Sequence, residues 1–249
     1  MMRHALLLAV LVLALPLGSE GARAQPAPTQ CAAPNELLDS DVRLPELAKR
    51  LRARQPITIV AIGGASTAGT AAGDGEGNAY PRRLEEALQR RHPGVPITVI
   101  NKGVPRQTTD EMVARFPRDV FALHPTLVIW ETGTVDAVRS IDVEGFAGAL
   151  ESGIAALRQQ HAEIMLVDMQ YNPKTSSLIN FEPYLDTLHR TADLQEVYSF
   201  RRYDVMRYWS DSGRFDLVDV PNGRQAALAG EIYRCLGERM ADAIDHAAR

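Results

Sequence analysis

Cysteine is scarce in this chain. Cys31 and Cys235 are the only two, too few for a disulfide-dense scaffold or a cysteine-rich zinc module. There is no excess of basic charge either. Lys and Arg number 27 against 31 Asp and Glu, so no basic field points to nucleic acid. No internal repeat recurs, and no linker splits the chain into two domains. No Gly-Lys-Ser/Thr follows Gly63–Gly69, which rules out a phosphate loop there. No two of the six histidines have the short spacing of a zinc site on one helix. What is present is ordinary. Hydrophobic residues make up 45% and charged residues 23% of the 249 positions, the proportions of a soluble globular domain. Collagen-like, coiled-coil and disordered classes are thereby excluded.

Residues 1–24 read as a secretory signal. Arg3 and His4 form a short basic start, Ala5–Leu17 is an apolar run, and Ala22-Arg23-Ala24 is a small-x-small cleavage site. The run is shorter than the roughly 20 residues of a membrane span. An uncleaved anchor is the alternative. Cleavage would leave a periplasmic or secreted protein with no membrane span. In that compartment Cys31 and Cys235 can pair, tying an N-terminal arm to the last helix; two buried thiols are the alternative.

Residues 25–42 are rich in Pro and Ala and lack a period, so they read as the arm, with one domain over 43–249. Pro45–Arg54 is expected to be a helix. Strands are expected at Ile57–Ile62, Ile97–Ile100, Leu127–Trp130, Ile164–Val167 and, weakly, Glu196–Phe200. Between and after them, helices are expected at Tyr80–Arg91, Thr109–Leu123 with a bend at Pro117, Val143–Gln160, Pro183–Arg190, Tyr203–Trp209 and Arg224–Ala247. This alternation predicts an α/β/α sandwich around a five-stranded parallel sheet. Ligands of such sheets bind outside the carboxyl ends of the strands.

The loops at those ends carry a series of blocks. Ile62-Gly63-Gly64-Ala65-Ser66-Thr67-Ala68-Gly69 resembles the first block of the SGNH (GDSL-type) hydrolases. Asn101-Lys102-Gly103-Val104 resembles their second, and Gly133-Thr134-Val135-Asp136 their third. Asp168-Met169-Gln170-Tyr171, the stretch Arg202–Trp209 and Tyr233-Arg234-Cys235 add to the match. The resemblance implies a flavodoxin-like fold and acyl transfer. A serine after the first strand attacks an ester, and a histidine from a late Asp-x-x-His acts as base. The serine N–H, a glycine and an asparagine hold the oxyanion.

Position by position, the catalytic set is missing. Ala65 stands at the nucleophile, and Ser66 falls one residue later. Val135 stands at the oxyanion asparagine. Between Trp209 and the closing helix there is no histidine; Asp219, or Ala227 in a second alignment, takes its place. No catalytic residue, metal or cofactor is therefore expected. The expected function is a non-catalytic, hydrolase-shaped protein whose site binds through Ala65, Ser66, Thr67, Gly103, Gly133 and Val135. The backbone N–H groups of Ala65 and Gly103 would be its donors. An acyl or acetylated-glycan ligand, or a partner protein of the cell envelope, would suit it. The rival is an active esterase with Ser66 as displaced nucleophile and a base such as His189.

Other features read as structural. Asp186 and His189 read as a pair on a helix surface. His92, His124 and His161 read as capping or solvated residues, and His246 as part of a frayed end. Gly73–Asn78 lacks the ligand spacing of a calcium loop. A further reading of Asp136 and Asp168 is a pair of carboxylates of the glycosidase kind.

Overall fold

Each apolar run becomes a parallel strand in the computed structural model, which describes residues 29–73 and 75–249. The expected signal segment and Asp74 lie outside the described residues. The strands are β1 Ile57–Gly63, β2 Ile97–Gly103, β3 Leu127–Glu131, β4 Glu163–Val167 and β5 Tyr198–Phe200. The helices are α1 Pro45–Ala53, α2 Ala65–Ala68, α3 Tyr80–Arg91, α4 Thr109–Val113, α5 Phe116–Asp119 and α6 Thr134–Val138. They continue with α7 Val143–Gln159, α8 Pro173–Ser176, α9 Glu182–Leu194, α10 Arg202–Asp211 and α11 Gln225–Ala247. The sheet order is β2-β1-β3-β4-β5, every pair parallel. This is the flavodoxin-like order, with its switch point between β1 and β3.

Side-chain alternation sorts the strands into two cores. Ile57, Ile59, Ala61, Leu127, Ile129, Met165 and Val167 pack with α1, α3, α10 and α11. Val60, Ile62, Val128, Trp130, Ile164 and Leu166 pack with α4, α5, α7 and α9. Both faces are covered, so the central strands β1, β3 and β4 are nearly continuous apolar runs, whereas the edge strand β2 carries Thr98, Asn101 and Lys102. The period of two then decides which helix layer each residue meets.

Three details depart from the sequence-based expectation. The helix expected at 109–123 is two short helices and a turn of 3-10 helix at Phe121–Leu123; its break precedes Pro117, which lies in the first turn of α5. There Pro lacks only an N–H that the helix would leave unbonded anyway. The helices α2, α6 and α8 were not expected. Finally, His246 is not frayed. It sits in the last turn of α11, its Nδ1 3.9 Å from Asp39 Oδ1.

Cys31 and Cys235 form a disulfide, both fully buried. The arm is thereby fixed to α11, and Trp209 Nε1 donates to the Ala32 carbonyl to seat it further. Such a bond suits an oxidising compartment. Among the described residues, no helix is long and apolar enough to cross a membrane.

Candidate functional site

A cleft of about 150 Å3 opens at the carboxyl ends of the strands. Ala65 and Ser66 come to it from the start of α2 after β1, Arg106 and Gln107 from the loop after β2, Thr134 and Val135 from the start of α6 after β3, and Gln170 from the loop after β4. The wall formed by α4 is set locally. Thr108 and Glu111 make a reciprocal capping box, each side chain accepting from the other's backbone N–H.

Of the six residues expected at the site, Ala65, Ser66 and Val135 line this cleft; Thr67, Gly103 and Gly133 do not. Gly103 lies behind α2, where a Cβ would come within 2.2 Å of the Ala68 backbone nitrogen. Its N–H was expected to serve as a free donor, but it is bonded to Asn101 Oδ1 at 2.9 Å. Gly133 has φ +88° and is pressed by Met169. Ala65 is exposed at the cleft, and Ser66 is 94% buried beneath it.

The floor is a buried polar network that the sequence did not reveal. Ser66 Oγ donates to Glu131 Oε2 at 2.8 Å and accepts from Arg202 Nη1 at 2.7 Å. Arg202 Nη2 donates to Glu131 Oε1 at 3.2 Å. The Thr67 N–H and hydroxyl also donate to Glu131 Oε2. With its proton so used, Thr67 Oγ1 must accept from the Tyr80 hydroxyl, 3.0 Å away. Arg202 is fully buried and Glu131 nearly so. Burial by itself would raise the Glu131 carboxyl, but the Arg202 charge and the hydrogen bonds from Thr67, Ser66 and Arg202 outweigh it and hold it below 4.5. The only sequence signal for this network was a carboxylate ending the apolar strand β3.

Ser66 and His189 are not joined. His189 Nε2 bonds Asp168 Oδ2 at 2.9 Å, and the other Asp168 oxygen accepts the Tyr203 N–H. The expected surface pair of Asp186 and His189 is therefore corrected: His189 turns inward to Asp168. Burial raises the Asp168 carboxyl, with His189 opposing. Asp136 is held separately by the backbone and hydroxyl of Thr109. The two aspartates thus serve different partners and do not form a pair. Asp219 and Ala227 lie exposed and away from the cleft. His92 caps α3 and contacts Asp245.

Comparison with known proteins matches this architecture. No curated protein matches the chain in sequence. Among solved structures, a two-domain esterase active on acetylated mannans is 18% identical; the match covers 82% of this chain and 55% of that one, with a TM-score of 0.66. TesA is 19% identical over 76% of this chain and 99% of its own, TM-score 0.60. The lipase/acylhydrolase from Enterococcus faecalis is 19% identical over 74% and 96%, TM-score 0.56. At such identities the likeness shows the fold alone. The profile of the non-GDSL lipase-like family matches residues 30–249, and so the chain belongs to that family, an SGNH-type hydrolase group.

Proposed function

We propose that this protein is a non-hydrolytic member of its family, exported to the periplasm or beyond, whose cleft at Ala65 binds an acyl or acetylated-glycan group without cleaving it. A partner protein of the cell envelope could present that group. The observation that carries this reading is the pairing of an alanine at the cleft with a serine whose proton is held by Glu131. A nucleophilic hydroxyl must pass its proton to a base as it attacks. The Ser66 proton points to a carboxylate held below its ordinary range, which is a weak base. One of the two Ser66 Oγ lone pairs is taken by Arg202, which draws electron density from the oxygen. His189 Nε2 is bonded to Asp168 and not to Ser66. The Val135 side chain offers no donor to an oxyanion.

Capacity to bind is retained. Thr134 lines the cleft, its buried Oγ1 has no hydrogen-bond partner among the described residues, and Arg106, Gln107 and Gln170 supply donors nearby. Such groups suit the carbonyl and hydroxyls of an acetylated sugar. The relative active on acetylated mannans makes that substrate class the first to try.

One specific observation favours a second reading. Ser66 lines the cleft and its Oγ donates to a carboxylate, so an esterase with Ser66 as nucleophile and Glu131 as base is the alternative. One experiment separates the two. The purified protein is incubated with a fluorophosphonate probe and, separately, with acetylated mannan. The expected outcome is no labelling, no acetate release, and binding of the acetylated glycan that weakens in Thr134→Val. The variant Ala65→Ser alone should recover no turnover. Labelling or acetate release that vanishes in Ser66→Ala would overturn the proposal in favour of the esterase.

A further inference from the structure

Two of the residues lining the cleft carry charge, Glu131 and Arg106. Glu131 is matched by the buried Arg202. Arg106 is not matched: among the described residues, no hydrogen bond or ion pair engages its guanidinium. The cleft therefore holds one uncompensated charge, and it is positive.

The backbone sets Arg106 apart as well. Six described residues other than glycine have a positive φ. Five of them, Arg54, His124, Ser140, His161 and Glu196, sit just past the end of a helix or 3-10 turn, where a left-handed residue closes the last turn. Arg106 does not. With Pro105 it forms the turn between β2 and α4, and its φ is +67°. Glycine or asparagine is usual in that conformation after a turn proline. The turn is clamped in place. Arg139 Nη2 donates to the Arg106 carbonyl at 2.9 Å, and Arg115 Nε donates to Gln107 Oε1 at 2.6 Å. A residue held in an unfavourable backbone conformation at a cleft points to a use for its side chain.

We propose that the glycan held by this cleft is acidic: an acetylated sugar bearing a carboxylate, which Arg106 pairs. This rests on the glycan-binding reading above and adds to it the charge of the ligand. A single unmatched cation balances a single negative charge. The planar guanidinium fork also pairs a carboxylate with two parallel hydrogen bonds. Gln107, Thr134 and Gln170 remain for the acetyl carbonyl and the hydroxyls. A neutral sugar would leave the charge unused. Arg106 is exposed, so the pair forms in contact with water and selects among glycans more than it adds affinity.

Calorimetric titration of the full chain with O-acetylated galacturonate oligosaccharides and with their methyl esters tests this, since the two differ chiefly in charge. In the wild type at low salt the acid should bind about three- to tenfold more tightly than the ester. The advantage should shrink at high salt. In Arg106→Gly, acid and ester should bind alike, while the melting temperature stays close to the wild-type value because glycine accepts that φ. Arg106→Lys should keep part of the advantage. Should Arg106→Gly fail to fold, Arg106→Asn replaces it. Equal binding of acid and ester in the wild type, or an advantage for the acid that survives Arg106→Gly, would overturn the inference. Binding of neither would overturn it together with the glycan-binding reading. Acetate release would overturn only the non-hydrolytic reading, and the comparison of acid with ester would still decide this one.

Discussion

Glu131 receives four hydrogen bonds on two oxygens, and its one full counter-charge is Arg202. Removing one partner strands the other charge in the core. Glu131→Gln and Arg202→Met should each cost about 3–5 kcal/mol in urea unfolding, whereas the double change Glu131→Leu with Arg202→Met should cost much less than the sum. The pH dependence has a definite sign. Glu131 is held below 4.5 when folded, so its stabilising contribution is complete above 4.5 and is lost as pH falls through the folded value. Asp119, held at about 2 chiefly by the Arg118 hydrogen bond, contributes with the same sign. Asp168 acts in the opposite sense, because burial raises its carboxyl and the folded state then binds that proton more readily. Stability measured from pH 6 down to pH 3 should decline, and the decline should be shallower in Glu131→Gln. At this scale the sequence was legible for position. Ala65, Ser66 and Val135 line the cleft because each follows a strand whose end the apolar runs marked. The bond between Glu131 and Arg202 could not be read, since their separation of 71 residues is closed only by the sheet.

Glycine decides how one element sits on another. The Gly103 Cα lies under the backbone of α2, and an added Cβ has nowhere to go. Gly103→Ala should shift α2 and cost about 1–3 kcal/mol by overpacking. Gly148, on the exposed side of α7, has nothing within 4 Å of an added Cβ. Gly148→Ala should instead stabilise by about 0.4–1 kcal/mol, through the unfolded chain. Thermal melts of the two variants check both signs. The long elements were readable because each carries several apolar turns; Tyr80–Arg91 was read to the residue. The helices α2, α6 and α8 span four or five residues, less than two turns, so no hydrophobic period can develop. Two of them, α2 and α6, begin directly at the cleft, which is why its floor was harder to foresee than the sheet.

For the whole molecule, the disulfide joins positions 204 residues apart. Chain-entropy arguments put the upper value of such a bond near 5 kcal/mol, with about 2–4 usual. Cys31→Ala with Cys235→Ala should therefore lower the melting temperature by roughly 5–15 °C. Because both sulfurs are fully buried, dithiothreitol should leave the native protein oxidised until it unfolds. Trapping free thiols with a maleimide, with and without urea, measures this. The sheet and the two cysteines were readable in advance. The seating of the arm was not, because it rests on single contacts such as the one from Trp209 to Ala32.

All five strands lie between Cys31 and Cys235, so the covalent link makes the sheet part of a closed ring. The backbone completes the closure nearby, where the Leu44 N–H donates to the Ala247 carbonyl. One cut anywhere inside a ring opens it without dividing it. A protease that nicks the exposed segment 211–213 should thus yield a species that migrates as one chain without reductant and as two fragments with it.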